Sequence, residues 1–254
     1  MIQKLDFNQE RNTDKNIKLI WNQFDDLYLQ RLRKVSNLED LISLRMSEIE
    51  RVREVTSFVH NLWDHNGDNE PQKNDPISII QEALNGKNFR CVEYSSVLSS
   101  CLNAIDIPSR LVALKTKDCE TRAYGAGHVV VEAYLKGKEK WVMIDPQWNI
   151  ITMMNGIPLN AVEFQESIYQ QKEITEFSNI KTEYFNWIHP YLYYFTVDID
   201  NRVGVHKEET HNEYKQIMLV PNGAKEPKLF QRRFPIKNVY YTNHIHLFYQ
   251  QPIL

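Results

Sequence analysis

Residues 86–116, "GKNFRCVEYSSVLSSCLNAIDIPSRLVALKT", change hydrophobic period halfway and so decide what kind of fold can follow. Tyr94, Val97, Leu98, Cys101, Leu102 and Ile105 recur at the spacing of a helix with one buried face. Asp106 and Pro108 end that run, because a proline drives the residue before it out of helical backbone. "RLVALKT" then reads as a strand. Cys91 is left at the first turn of the helix, where unpaired N–H groups and the positive end of the helix dipole favour a thiolate.

Working outward, "KDCETRAYGAG" reads as a loop, "HVVVEAYL" as a strand, "KGKEK" as a turn and "WVMID" as the next strand, so the helix feeds an antiparallel meander. On the other side, residues 17–63 read as mostly helical, with Val52, Val55, Val59, Leu62 and Trp63 on one face. "DHNGDNEPQKNDP" is breaker chemistry, and Pro76 opens a short helix, "ISIIQEALN", that Gly86 stops. After Pro146 comes a mixed stretch to about residue 176. The aromatic segments "YFNWIHPYLYYFTVDIDNRVGV" and "NVYYTNHIHLFYQ" then alternate like further strands. The expectation is an α+β fold in three parts: a helical N-terminal extension at 1–48, a core at 49–150, and a mixed, then β-rich, C-terminal extension at 151–254 packed on that core.

The 254 residues are 42% hydrophobic and carry a formal charge of -3. Such a chain has no basic excess to hold nucleic acid or anionic lipid. The first residues lack the apolar region of a secretory signal, and no run is long enough to span a membrane, so a cytoplasmic protein is expected. Cys91, Cys101 and Cys119 are odd in number and form no C-x-x-C pair, which points to free thiols rather than disulfides or a zinc site. Oligomeric state is not legible in these features.

A reactive thiol needs a base within hydrogen-bond reach and a third group to orient that base. His128 opens one strand and Asp145 closes the next, at the same edge of the sheet. If the hairpin is centred near Gly137 and Lys138, Asp145 faces Val130 and lies diagonally from His128, ~7 Å away between Cα atoms. A slip of one residue would turn Asp145 to the opposite face. Other candidates read as structural. Cys101 falls on the buried helix face, Cys119 is a loop residue whose thiol pKa Asp118 and Glu120 would raise, and Glu132 suits a partner lysine or arginine. His244 and His246 would share a strand face but lack a companion metal ligand, and the aromatics of residues 184–195 suit a core at strand spacing. Trp148, two residues beyond "DP", is placed to wall the cleft as a substrate-binding residue.

Taken in order, Cys91 in "FRCVEYS", "DIPSR" ending at Arg110, "GHVVVEAY" and "WVMIDPQW" resemble the transglutaminase-like superfamily of papain-type cysteine enzymes, in its bacterial form, over roughly residues 50–150. The resemblance implies a papain-like core in which the helix bearing Cys91 packs on an antiparallel sheet. It implies Cys91 as nucleophile, His128 as general base and then acid, and Asp145 as the group that orients and charges His128. A thioester would form from an amide-containing substrate such as a protein or peptide, with hydrolysis favoured over transfer to an amine and no cofactor or metal. The Cys91 N–H would hold the oxyanion, with a second donor from upstream, Asn85 or Asn88. Phe89 and Arg90 replace the family's glycine before the cysteine, and the tryptophan often found two residues after the histidine is absent. Two other readings stay open: a non-catalytic binding or scaffolding module that retains the fold, and a redox-sensing Cys91 beside Arg90.

Overall fold

The computed structural model describes residues 3–10, 17–43, 45–170, 181–205 and 214–252. Its helices open with α1 (Leu27–Val35), α2 (Leu38–Leu41) and α3 (Glu48–His60), followed by α4 (Pro76–Leu84) and α5 (Cys91–Ala104). Residues 17–26 are not helical as expected. Ile20 bridges to Asp200, and α1 begins only where the Asp26 carboxylate accepts the Tyr28 N–H. Ser47 and Glu50 close a capping box on α3, while Pro76 starts α4 under an Asp75 cap; each such cap contributes about 1 kcal/mol.

α5 ends as its sequence foretells. Asp106 takes a left-handed φ of 63°, the Ile107 N–H reaches back to the Leu102 carbonyl at 3.0 Å, and Pro108 follows. Val97, Leu98, Cys101 and Leu102 are fully buried on the helix's inner face, the aliphatic ones each contributing about 1.5–3 kcal/mol relative to exposure.

Strands β1 (Ser109–Lys115), β2 (Gly127–Leu135) and β3 (Lys140–Asp145) form the predicted meander, to which β4 (Ile150–Ile151) adds a strand beside β3. Two short strands, β5 (Met153–Met154) and β6 (Ile157–Pro158), pair with each other before α6 (Ala161–Tyr169). Beyond α7 (Thr182–Ile188), β7 (Tyr194–Asp198) and β8 (Gln216–Leu219) extend the sheet on the far side of β1; β9 (Leu229–Phe230) and β10 (Phe234–Pro235) make a small hairpin; and β11 (Val239–Thr242) precedes α8 (Ile245–Phe248). The sheet has seven strands in the order β11-β8-β7-β1-β2-β3-β4, antiparallel except for β11 beside β8. The mixed stretch after Pro146 contains β4 to α6, and its end at 171–176 lies outside the described residues.

Helices cover both faces. Val131, Ala133, Leu135, Val142 and Ile144 point into a core shared with α1, α3, α4 and α5. Val130, Tyr134, Trp141 and Met143 point the other way, into a core shared with α6, α7, β7, β8 and α8. Burial on both faces explains why β2 is apolar almost throughout.

Two expectations for the C-terminal half are corrected. Residues 182–188 are helix rather than strand, and the aromatic run becomes β7 only at Tyr194. His244 and His246 do not share a strand face: His244 caps α8 and His246 lies inside it, with His244 Nδ1 3.1 Å from the Glu10 carbonyl. Among the described residues no three His, Cys, Asp or Glu side chains gather as a metal site.

Candidate active site

Cys91 is the first residue of α5, half-buried. The helix start is held by the Glu93 carboxylate, which accepts the Arg90 N–H at 3.2 Å and pairs with the Arg90 guanidinium at 2.8 Å. Glu93 thus occupies one of the free donors of the first turn. Ser95, one turn along, donates to the Val129 carbonyl at 2.9 Å and pins this end of α5 to the start of β2. His128 is the second residue of that strand, so the thiol and the imidazole are brought together by two element starts rather than by flexible loops.

The β2–β3 register pairs Val131 with Ile144. Continued by one step, it sets Asp145 opposite Val130, on His128's face and diagonal to it. His128 Nε2 lies 2.7 Å from Asp145 Oδ2, both side chains being buried. Two further donors hold the carboxylate: the Tyr184 hydroxyl at 3.1 Å on Oδ2 and the Gln147 N–H at 3.1 Å on Oδ1. Cys91 lies near enough to His128 to help raise its pKa. Since Nε2 is engaged by Asp145, Nδ1 is the ring nitrogen left for the thiol.

Burial alone would push the His128 pKa down. The charge and hydrogen bond of Asp145, with a smaller contribution from Cys91, overcome it and raise the imidazole to about 10. His128 is therefore held as an imidazolium at neutral pH, between a carboxylate on one side and a sulfur on the other. The other two thiols are different. Burial pushes Cys101 up to about 12 and Cys119 up to about 11. For Cys119 burial outweighs the neighbouring carboxylates that the sequence suggested as the cause, and Lys115 works against them.

Aromatic rings from α7 and the turn after it cover the imidazole. Trp187 meets His128 edge to face at 4.7 Å and Tyr191 lies 6.0 Å away. Trp148 belongs to the same aromatic cluster, 5.2 Å from Trp187 and 5.6 Å from Tyr184. The core reading of this segment holds for Tyr184, which is fully buried, with Trp187 and Tyr191 packed partly buried against the same core, but the helical geometry that brings them to His128 was not foreseen. Their signal was present nonetheless: Tyr184, Trp187 and Tyr191 are spaced three and four apart, the period of a helix face.

Glu132 pairs with Arg110 at 2.7 Å with both side chains fully buried, the structural role expected of it. Of the proposed second oxyanion donors, Asn85 is committed elsewhere, its amide donating to the Gln81 carbonyl at the end of α4. The carbonyl of Asn88 accepts from Asn69.

A family model described as the transglutaminase-like superfamily core matches residues 37–146. No curated protein sequence matches the chain. Among solved structures, a candidate cysteine protease from Cytophaga hutchinsonii is similar at 16% identity over 47% of this chain and 37% of its own, with a TM-score of 0.38. Calcium-bound LapG of Legionella pneumophila is similar at 14% identity over 48% and 75%, with a TM-score of 0.35. Red sea bream transglutaminase is similar at 19% identity over 50% and 27%, with a TM-score of 0.31. The chain thus spans little over a third of the length of the first of these. At such TM-scores the likeness carries no mechanistic weight, and the site's own geometry must do so. No helix among the described residues is long and apolar enough to cross a membrane.

Proposed function

We propose, from the premise that residues 37–146 are a domain of the transglutaminase-like superfamily, that this protein performs cysteine-dependent acyl transfer at an amide bond of a protein or peptide. Cys91 is the nucleophile, His128 the acid and base, and Asp145 the residue that orients and charges His128. The observation that carries the reading is that one buried imidazole bonds Asp145 through Nε2 and lies within electrostatic reach of a cysteine at a helix start.

In the first half-reaction the Cys91 thiolate attacks the amide carbon and its π electrons move to oxygen. As the tetrahedral species collapses, the imidazolium of His128 gives its proton to the departing amine, leaving an acyl thioester and a neutral ring. In the second, His128 takes a proton from water as the oxygen attacks the thioester. Collapse releases a carboxylic acid and restores the Cys91 thiolate beside the imidazolium. The Cys91 N–H is the first oxyanion donor. Hydrolysis is preferred to transfer because water is the default acyl acceptor unless a site excludes it. The scheme uses no metal or cofactor.

The test is turnover of a diverse peptide-amide library by purified protein, with mass spectrometry of Cys91 for the trapped thioester. Wild type should release amines and Cys91→Ala should not. Absence of turnover in wild type, or equal turnover in both, would refute the assignment.

A further inference from the structure

The oxyanion needs a second donor, and the sequence left it unassigned. The loop after α3 offers a candidate from an unexpected place. His65 forms a parallel bridge with Phe89, and the Asn66 N–H donates to the Phe89 carbonyl at 2.8 Å. Phe89 is two residues before Cys91, so this loop is fastened directly beside the helix start that carries the thiol. A Cβ placed on Gly67 would lie 4.0 Å from His65 Cε1 and 3.7 Å from the Tyr124 hydroxyl. Tyr124 belongs to the loop leading into His128, which puts His65 where the loop before Cys91 meets the loop before His128. The side chain is exposed there.

We infer that His65 is a second oxyanion donor of the Cys91 site, its ring N–H holding the carbonyl oxygen of the acyl group together with the Cys91 backbone N–H. The inference rests on the acyl-transfer reading above. Partial desolvation of its exposed ring, and then the positive charge of His128, depress the His65 pKa, while Asp145 opposes this. His65 therefore feels both members of the buried pair, and it is favoured as a neutral N–H donor beside a charged imidazolium. The competing donor, the Trp63 indole N–H, has no partner but is sealed from solvent, its ring packed on Phe89 and Tyr94.

Two reagents separate an oxyanion role from a general effect on the thiol. Iodoacetamide alkylates Cys91 by displacement at a saturated carbon, and no oxyanion forms. p-Nitrophenyl acetate is attacked at its carbonyl: the C=O electrons move to oxygen, then return to expel p-nitrophenolate and leave an acetyl thioester on Cys91. Both rates are read by mass spectrometry of the Cys91 peptide. In His65→Ala the acetylation rate should fall about 100-fold or more, the loss typical of one oxyanion donor. The alkylation rate should stay within about threefold, and His65→Gln, which keeps a side-chain N–H, should recover most of the acetylation. Equal loss of both rates would mean that His65 merely supports the fold, and unchanged acetylation would overturn the inference, as would a selective loss in Trp63→Phe alone. If wild-type Cys91 is alkylated but never acetylated, it is the acyl-transfer reading itself that fails, and the inference fails with it.

Discussion

Replacing Asp145 with Asn tests the electrostatic logic of the site while keeping its shape. With its amide oxygen in the Oδ2 position, Asn can still accept from the Tyr184 hydroxyl, 3.1 Å from the carboxylate, while the Gln147 N–H on Oδ1 loses its acceptor, and it brings no charge to the 2.7 Å contact with His128. Asp145 is the main group that lifts the buried imidazole from 6.5 to about 10, with a smaller contribution from Cys91. Without it burial wins, and His128 should titrate at or below its ordinary value. That change is roughly a 3,000-fold loss of proton affinity, on the order of 5 kcal/mol, and at about pH 7.5 it takes the imidazolium from nearly all molecules to about a tenth. The assay is NMR titration of histidine Cε1, assigned with His128→Ala, alongside the alkylation rate of Cys91. Cys101 and Cys119 serve as slow internal controls, because burial holds both thiols far above neutrality. Wild-type His128 should titrate near 10 and the variant below 6.5, with Cys91 alkylation slowed about tenfold at neutral pH as its counter-ion is lost. A wild-type His128 that titrates in the ordinary range, or does not move in the variant, would refute the reasoning.

Stability should carry the same signature. A folded pKa raised from 6.5 to about 10 gives a contribution fully present below about pH 6.5 and lost as pH rises through about 10. Urea denaturation should therefore show the gap between wild type and Asp145→Asn closing over that window. Arg110→Ala would leave Glu132 buried without its guanidinium partner, 2.7 Å away in the wild type, and should cost about 3–5 kcal/mol in the same assay. A Cβ on Gly127 would come within 2.9 Å of the Phe230 ring, so Gly127→Ala should displace the start of β2 and slow Cys91 acetylation. Adding Phe230→Ala should restore much of that rate; failure to do so would locate the damage elsewhere.

What was legible from sequence follows from how each residue is positioned. The helix start at Cys91 and its stop at Asp106 rest on local period and punctuation. The His128–Asp145 contact rests on one hairpin, whose length fixes the register, and the pairing of Val131 with Ile144 is the one that centring near Gly137 and Lys138 demands. The wall of Tyr184, Trp187 and Tyr191 was misread because dense aromatics suit a strand as well as a helix over short runs, although the three-and-four spacing favoured the helix. His65 had no local signal. It lies in a polar loop, and its place beside the site comes from a bridge to Phe89, 24 residues away. The burial of Cys119 was likewise hidden, because it depends on packing against the C-terminal strands.

The Arg110–Glu132 pair has one more consequence, for the timing of synthesis. Arg110 also donates to the Phe248 carbonyl, and Glu132 accepts from the Tyr249 hydroxyl and the Ala161 N–H. Phe248 and Tyr249 are made long after β2. At ~5–20 residues per second, roughly a hundred residues take on the order of ten seconds. A nascent chain therefore carries Cys91, His128 and Asp145 together for seconds before the charges beneath β2 are fully paired and the sheet can close over them. Cys91 is translated early, but the platform beneath His128 is completed only when α8 docks.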